Sequence, residues 1–469
     1  MVTARLERLV RSVRRWRVAT DGESAPIVSP DLPDQDLKKL RRLVDESIDV
    51  RGGEVAARRK ARLIGTTFST LDTTGRRRFF EILANDYNGD DNSVDQAIDT
   101  VLRAGTSESR HNAEAELRQA LQPRRERLLR RFADLDGGLP FLVGLREDLL
   151  GHLASTPGLA PVDHDLRQIL ASWFDVALLQ LERLTWERSP AALLEKLIEY
   201  EAVHAIESWD DMKGRLGPGR RCYAFFHPAM PDEPLIFVEV ALTKGIATSL
   251  PALLDHGADR IDATEADTAI FYSISNCQRG MAGVSLGDFL IKSVAERLSV
   301  ELPNVCELAT LSPLPGFRRW VERAMSEASI TLSPAEERLL SPDDPAAAVE
   351  VLSTLVSGPV PAAGNAEFDR SRPILLRLAA DYLLNRQRGL RALDPVAHFH
   401  LSNGAGIHQL NWWANPSAAG WERGLGMMVN YRYQLRHIER NHDRYVGQGE
   451  IAADDAVRKL LGPAEANAG

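Results

Sequence analysis

The feature that most constrains this chain is a change of hydrophobic rhythm near its middle. Up to about residue 189 the apolar residues recur at helical spacing. Residues 37–63 carry Leu40, Leu43, Ile48 and Val50 among charges, and 77–87 carry Phe79, Phe80, Ile82 and Leu83. Similar stretches occupy 94–104, 112–135 with a break at Pro123, 140–154 and 164–186. No alternating strand pattern stands out before about residue 220. Helix after helix joined by short loops predicts an antiparallel bundle. His111, His152 and His164 lie in it, but no carboxylate–His pair at i, i+3 is repeated on two helices. A scaffold or oligomerisation role is therefore expected rather than a di-metal centre. Ser189-Pro190 marks the expected boundary, because a residue before proline leaves the helical region. The predicted domains are 1–189 and 190–469.

Beyond the boundary the runs 222–226, 234–242 and 267–275 are short, apolar, β-branched and aromatic. Such unbroken runs predict central strands covered on both faces. After the third come Arg279-Gly280-Met281-Ala282-Gly283-Val284-Ser285-Leu286-Gly287, an amphipathic helix over 288–298 and a strand over 305–311 ending at Ser312. Helices interrupt again over 334–393, with an apolar face at 375–384. The fold class expected is α+β: an all-α bundle followed by a mixed-sheet domain.

At 469 residues the chain is too long for one ordinary core. Its 44% hydrophobic and 26% charged residues are normal for a globular protein. The net charge of −9 argues against a nucleic-acid partner but leaves room for a local basic pocket. Cys222, Cys277 and Cys306 form no C-x-x-C pair, so neither a zinc cage nor a disulfide framework is expected. No run of 18 apolar residues predicts a membrane span. Residues 1–20 are rich in arginine and read either as a surface helix or as a targeting segment. Asn467-Ala468-Gly469 is not a peroxisomal signal. The expected compartment is the cytoplasm.

Three segments could carry chemistry. The glycine loop runs from a strand onto a helix start, where free N–H groups and a positive dipole end suit a phosphate. It ends in neither Gly-Lys-Ser nor Gly-Lys-Thr, and it lacks dinucleotide-fingerprint spacing. Ser312 follows a strand and precedes Pro313-Leu314-Pro315-Gly316, a stiff turn that exposes a hydroxyl to a ligand. His398 and His400 would share one face of an extended stretch before Asn403-Gly404, which could bind metal, although no third ligand stands nearby. Asn411-Trp412-Trp413 and Asn430-Tyr431-Arg432-Tyr433 are dense in aromatic and amide groups, for which packing is the default reading.

The glycine loop resembles the acyl-CoA-binding turn of the Gcn5-related acetyltransferase fold, with its glycines spaced differently. Glu201-Ala202-Val203-His204, Arg220-Arg221-Cys222-Tyr223, Phe271-Tyr272-Ser273-Ile274-Ser275, Leu311-Ser312-Pro313-Leu314-Pro315-Gly316-Phe317, Asn403-Gly404-Ala405, Asn411-Trp412 and Asn430-Tyr431-Arg432-Tyr433 together are similar to the malonyl-CoA decarboxylase family. The likeness runs in order through residues 180–435. It implies a helical oligomerisation domain, giving a homo-oligomer (dimer or tetramer), and an acetyltransferase-like domain that decarboxylates. The family's catalytic serine falls on Ser312, its histidine on His400, its supporting serine on Ser273 and its supporting tyrosine on Tyr433. Its CoA loop falls on Ala282, Gly283, Val284, Ser285, Leu286, Gly287 and Asp288. Ser285 stands where the animal members have a glutamate. The implied reaction converts malonyl-CoA to acetyl-CoA and carbon dioxide, in fatty acid metabolism, with no metal or organic cofactor. An acyl-CoA N-acyltransferase and a non-catalytic acyl-CoA sensor are the rival readings.

Overall fold

Among the described residues, eight α-helices occupy 34–173: α1 (Asp34–Ile48), α2 (Glu54–Thr70), α3 (Thr73–Asn85), α4 (Asp91–Arg103), α5 (Ser107–Ala120), α6 (Arg124–Ala133), α7 (Gly138–Leu150) and α8 (Ala160–Trp173). Their ends follow local chemistry. Asp72 and Asp90 accept backbone N–H groups at the starts of α3 and α4, and Thr106 with Ser109 closes a capping box on α5. Pro123 separates α5 from α6, as its missing N–H requires. The stretch expected at 37–63 is two helices, parted near Gly52 and Gly53. Phe68, Phe79, Phe80, Phe132 and Phe141 meet edge to face at 5.0–6.1 Å. Each is fully buried, and such burial stabilises by roughly 1.5–3 kcal/mol per ring.

The structure is a computed structural model that describes residues 28–50, 52–255, 261–284, 287–362 and 364–462. The expected N-terminal helix over 1–20 lies outside them. So do Ser285 and Leu286 of the glycine loop. Among the described residues no helix is long and apolar enough to cross a membrane.

The remaining strands and helices build a mixed sheet. Its strands are β1 (Gln180–Leu184), β2 (Arg220–Phe226), β3 (Ile236–Thr243), β4 (Thr268–Asn276), β5 (Glu307–Thr310), β6 (Ser312–Pro313), β9 (Gly406–Asn411) and β10 (Met428–Arg432). Strands β7 (Gln387–Arg388) and β8 (Arg391–Ala392) form a separate hairpin. The order is β1-β2-β3-β4-β5-β10-β6, with β9 also on β10. β2, β3 and β4 run antiparallel, whereas β4 and β5 run parallel, a pairing that needs a crossover and here has a helix in it. That helix is α12 (Gly287–Glu301), counted after α9 (Ala191–Tyr200), α10 (Trp209–Arg215) and α11 (Leu250–Leu254). The apolar runs of β2, β3 and β4 are buried almost throughout, as their composition predicts. The expectation of a helical N-terminal part and a mixed-sheet C-terminal part is met.

One expectation fails. The stretch 164–186 is not all helix: α8 stops at Trp173, and β1 adds an edge strand where none was expected before residue 220. Leu181 and Leu184 are three apart, the spacing of a helix face, and on a strand they fall on opposite faces. Pairing with β2 decides it. Compactness divides the chain into two units. The first takes the residues up to 180 with Phe226–Leu235 and Gln278–Ser285. The second takes Leu181–Phe225, Ile236–Cys277 and Leu286–Gly469. The glycine loop after β4 thus groups with the helices.

Candidate active site

Ser312 is placed by the end of a parallel pairing. The Leu311 N–H still donates to the Phe271 carbonyl at 3.0 Å, after which the chain leaves β4 and pairs with β10, Ser312 opposite Val429. Pro313 still stands opposite Met428, but the strand stops before Leu314 and Pro315, so the hydroxyl stays near a strand end. Ser312 Oγ donates to Thr310 Oγ1 at 2.9 Å and lies 3.0 Å from His400 Nε2.

His400 sits on a helix, not on an extended stretch. This is α17 (Pro395–Ser402), preceded by α13 (Phe317–Ser326), α14 (Pro334–Leu340), α15 (Ala348–Ser357) and α16 (Ala366–Asn385). Asp394 caps α17, accepting the Val396 and Ala397 N–H groups at 2.9 Å each, and Pro395 takes the first position, where no donor is needed. At the other end Gly404 takes φ +79°, and the Ala405 N–H closes back on the His400 carbonyl at 3.0 Å. A Cβ on Gly404 would come within 2.3 Å of the Ile438 carbonyl, so glycine is required there. On a helix, residues two apart diverge by about 200°. His398 and His400 therefore do not share a face. His398 Nδ1 pairs with the Tyr445 hydroxyl at 2.9 Å instead, and the two-histidine metal face does not form. Among the described residues no group of three or more His, Cys, Asp or Glu side chains could hold a metal ion.

Tyr433 follows β10, its N–H donating to the Leu308 carbonyl at 2.8 Å. Its hydroxyl lies 2.7 Å from His400 Nδ1. The Tyr431 ring stacks on the imidazole at 4.5 Å. Ser312, His400 and Tyr433 are all buried. Burial pushes the imidazole down to about 3 and holds the Tyr433 phenol well above its ordinary value. Both are then neutral at pH 7. Since Ser312 gives its proton to Thr310, the remaining donors fall in one order. Tyr433 O–H donates to Nδ1, and Nε2–H donates to Ser312 Oγ. Such a line of neutral groups can pass one proton toward whatever faces Ser312.

Ser273 is held elsewhere. Its Oγ donates to Glu201 at 2.8 Å to both carboxylate oxygens, and Ser275 donates to the same group at 3.1 Å. Glu201 Oε1 also accepts the Val203 and His204 N–H groups at 2.8 Å. A bulge sits beside it: Ser273 faces Glu239 on β3 while Phe271 faces Val240, leaving Tyr272 as the extra residue. In the glycine loop, Gly280 lies so close to α7 that a Cβ would meet the Val143 carbonyl at 1.9 Å. The carbonyls of Gly280 and Ala282 both accept from Arg146 Nη1 at 2.7 Å. Gly283 and Val284 follow, and Gly287 and Asp288 open α12.

Comparison with known proteins decides the family. The model of the malonyl-CoA decarboxylase C-terminal domain matches residues 177–468, and that of its N-terminal domain matches residues 87–174. The chain belongs to the malonyl-CoA decarboxylase family. Mitochondrial malonyl-CoA decarboxylase from the goose Anser anser anser is 36% identical over 436 residues, covering 88% of this chain and 85% of the relative. The crystal structure of malonyl-CoA decarboxylase from Rhodopseudomonas palustris has 41% identity and a TM-score of 0.81, over 90% of this chain and 99% of that one. The Agrobacterium vitis enzyme gives 38% and 0.82, over 90% and 100%. Within this malonyl-CoA decarboxylase fold, several residues around the cluster carried no role in the sequence reading. Thr310 and Tyr431 are two such, and each lies two residues from a named site residue on a strand. Strand periodicity puts i and i+2 on one face, so that signal was present. Asp394-Pro395 has the pattern of a helix start and Glu201 stands in one of the family-like segments, whereas Arg146 had no signal beyond residue type.

Proposed function

We propose that this protein converts malonyl-CoA to acetyl-CoA and carbon dioxide, with Ser312 and His400 carrying the proton and Tyr433 supporting the imidazole. The observation that supports this most is the buried, neutral line from Tyr433 through His400 to Ser312. Breaking the bond between the malonyl α-carbon and its carboxylate releases carbon dioxide and leaves the electron pair on the α-carbon. The thioester carbonyl draws that pair into an enolate, so the substrate is its own electron sink and the step calls for no metal or organic cofactor. Fixed donors facing the enolate oxygen would lower the barrier. The Ser312 O–H then turns from Thr310 to the α-carbon and gives its proton there as Oγ takes the Nε2 proton of His400. Giving that proton up leaves a negative charge on the ring, which the Tyr433 hydroxyl donating to Nδ1 offsets until water returns a proton to Nε2. The balance is one proton consumed per malonyl-CoA.

Ser273 serves this reading as a supporting residue. Through Glu201 it fixes residues 201–204 against β4. The acetyltransferase-like loop of Ala282, Gly283, Val284, Ser285, Leu286, Gly287 and Asp288 binds the CoA part. Ser285 leaves it without the carboxylate of the animal members. The test is incubation with malonyl-CoA and no added amine. Acetyl-CoA and carbon dioxide are expected in equal amounts. Acyl transfer that appears only when an amine is supplied would replace this reading with an N-acyltransferase.

The helical region, 1–189 in this reading, joins copies of the chain into a dimer or tetramer. Helix α4 is amphipathic yet buries only Ala97, leaving Ile98 and Leu102 exposed. A second copy would cover them. Sedimentation at micromolar concentration is expected to give a multiple of 51.9 kDa, and a single-chain mass sinks this part. Cys222, Cys277 and Cys306 are in no disulfide, which fits a reducing compartment, and we place the protein in the cytoplasm.

A further inference from the structure

We infer that Arg167, a residue of the helical region, binds a phosphate of the CoA moiety together with the Gly283 N–H. This rests on the acyl-CoA reading above.

The argument begins at Arg146, which is buried on α7 and shaped into a brace. Its Nε donates to Asp163 Oδ1 at 2.8 Å, and its Nη1 donates to the Gly280 and Ala282 carbonyls at 2.7 Å. The Ala282 carbonyl and the Gly283 N–H belong to one planar trans peptide, so they point in opposite directions. Turning that carbonyl onto Arg146 therefore aims the Gly283 N–H away from α7. Gly283 is exposed at φ +74°, and its N–H has no acceptor among the described residues. A donor presented in this way by a glycine turn suits an anion.

Arg167 stands beside it. A Cβ built on Gly283 would lie 3.8 Å from Arg167 Cδ and 3.9 Å from its Nη1. The natural partner of Arg167 on α8 is the carboxylate one turn back, at i−4. That carboxylate is Asp163, and Arg146 already holds it. Asp165 is likewise held by Arg125 at 2.6 Å. Arg167 is left exposed, with no hydrogen bond or ion pair among the described residues. The same brace thus does two things: it aims a backbone donor outward and removes the charge that would neutralise the neighbouring guanidinium. An exposed guanidinium beside an outward backbone N–H suits a phosphate, which Arg holds by paired charge-assisted bonds.

The test uses the full chain with Arg167→Ala and Arg167→Glu. KM for malonyl-CoA is expected to rise about tenfold in the first and more in the second, from loss of a charge-assisted bond, with kcat kept. Malonyl-pantetheine, which has no nucleotide phosphates, is expected to give the same KM in all three proteins. Malonyl-dephospho-CoA tells the two phosphate sources apart. A rise that persists assigns the pyrophosphate, and a rise that vanishes assigns the 3′-phosphate. A KM for malonyl-CoA within twofold of the unaltered protein overturns the inference, as does an equal rise with malonyl-pantetheine. Calorimetric binding of free CoA keeps the two readings separable. Weaker binding by Arg167→Glu without any carbon dioxide release would leave this site standing and remove the decarboxylase reading.

Discussion

Replacing His400 by alanine is expected to slow carbon dioxide release from malonyl-CoA by about 10²–10⁴-fold, the usual share of a positioned proton donor. The ring makes both polar contacts of the line, to Ser312 at 3.0 Å and to Tyr433 at 2.7 Å. Its removal therefore parts Ser312 from its proton supply. Ser312→Ala is expected to cost a similar factor, because the proton then lacks its last carrier. Tyr433→Phe should cost less, since Nε2 keeps its proton and only the support at Nδ1 is lost. The pH profile separates this arrangement from an ordinary catalytic histidine. Burial lowers the imidazole to about 3, so the neutral ring persists as pH falls through 6.5. The rate should not drop there on account of His400. Ring NMR shifts that titrate near 6.5, or a His400→Ala protein that keeps near-full release, would remove the assignment.

How far the site was legible depends on the distance over which each contact acts. Ser312 announced itself by a strand end and two prolines, and the Asn403-Gly404 pair marked the end of the helix that bears His400. Neither signal told whether residues 398–400 were strand or helix. Asp394-Pro395 was the missing clue: an N-cap followed by proline at the first position starts a helix. The central strands could be read from composition because they are covered on both faces. The edge strand β1 could not, since it is mostly exposed and exists only through its pairing with β2. Glu201 meets Ser273 across 72 residues, and Arg146 meets Gly280 across 134. No local pattern encodes such pairs. The helical region consequently looked like scaffold alone, although it supplies the brace under the glycine loop.

The largest loss of stability is expected at Arg215. Its Nη1 lies 3.0 Å from Glu239 Oε2, with only 3% and 1% of the two side chains exposed. Its other nitrogens hold Asp211 Oδ1 and the Ala205 carbonyl, each at 3.0 Å. Glu239 needs this partner more than most carboxylates do. Burial pushes its carboxyl up, Arg215 opposes that push, and Oε1 already has no hydrogen-bond partner among the described residues. Arg215→Ala leaves the group buried without its counter-charge, at a cost of about 3–5 kcal/mol, which urea unfolding would register. The pair itself is worth much less than that figure, because desolvation offsets most of its attraction. Arg215→Met combined with Glu239→Leu should therefore recover most of the loss. The combined variant also isolates what the charges do for the site. Glu239 faces Ser273 across β3 and β4, and Ser273 holds Glu201. Recovered stability with recovered turnover would make the ion pair structural, whereas recovered stability with lost turnover would tie its charge to the placing of Ser273. A loss below about 1 kcal/mol in Arg215→Ala would instead mean that water reaches Glu239 and screens it.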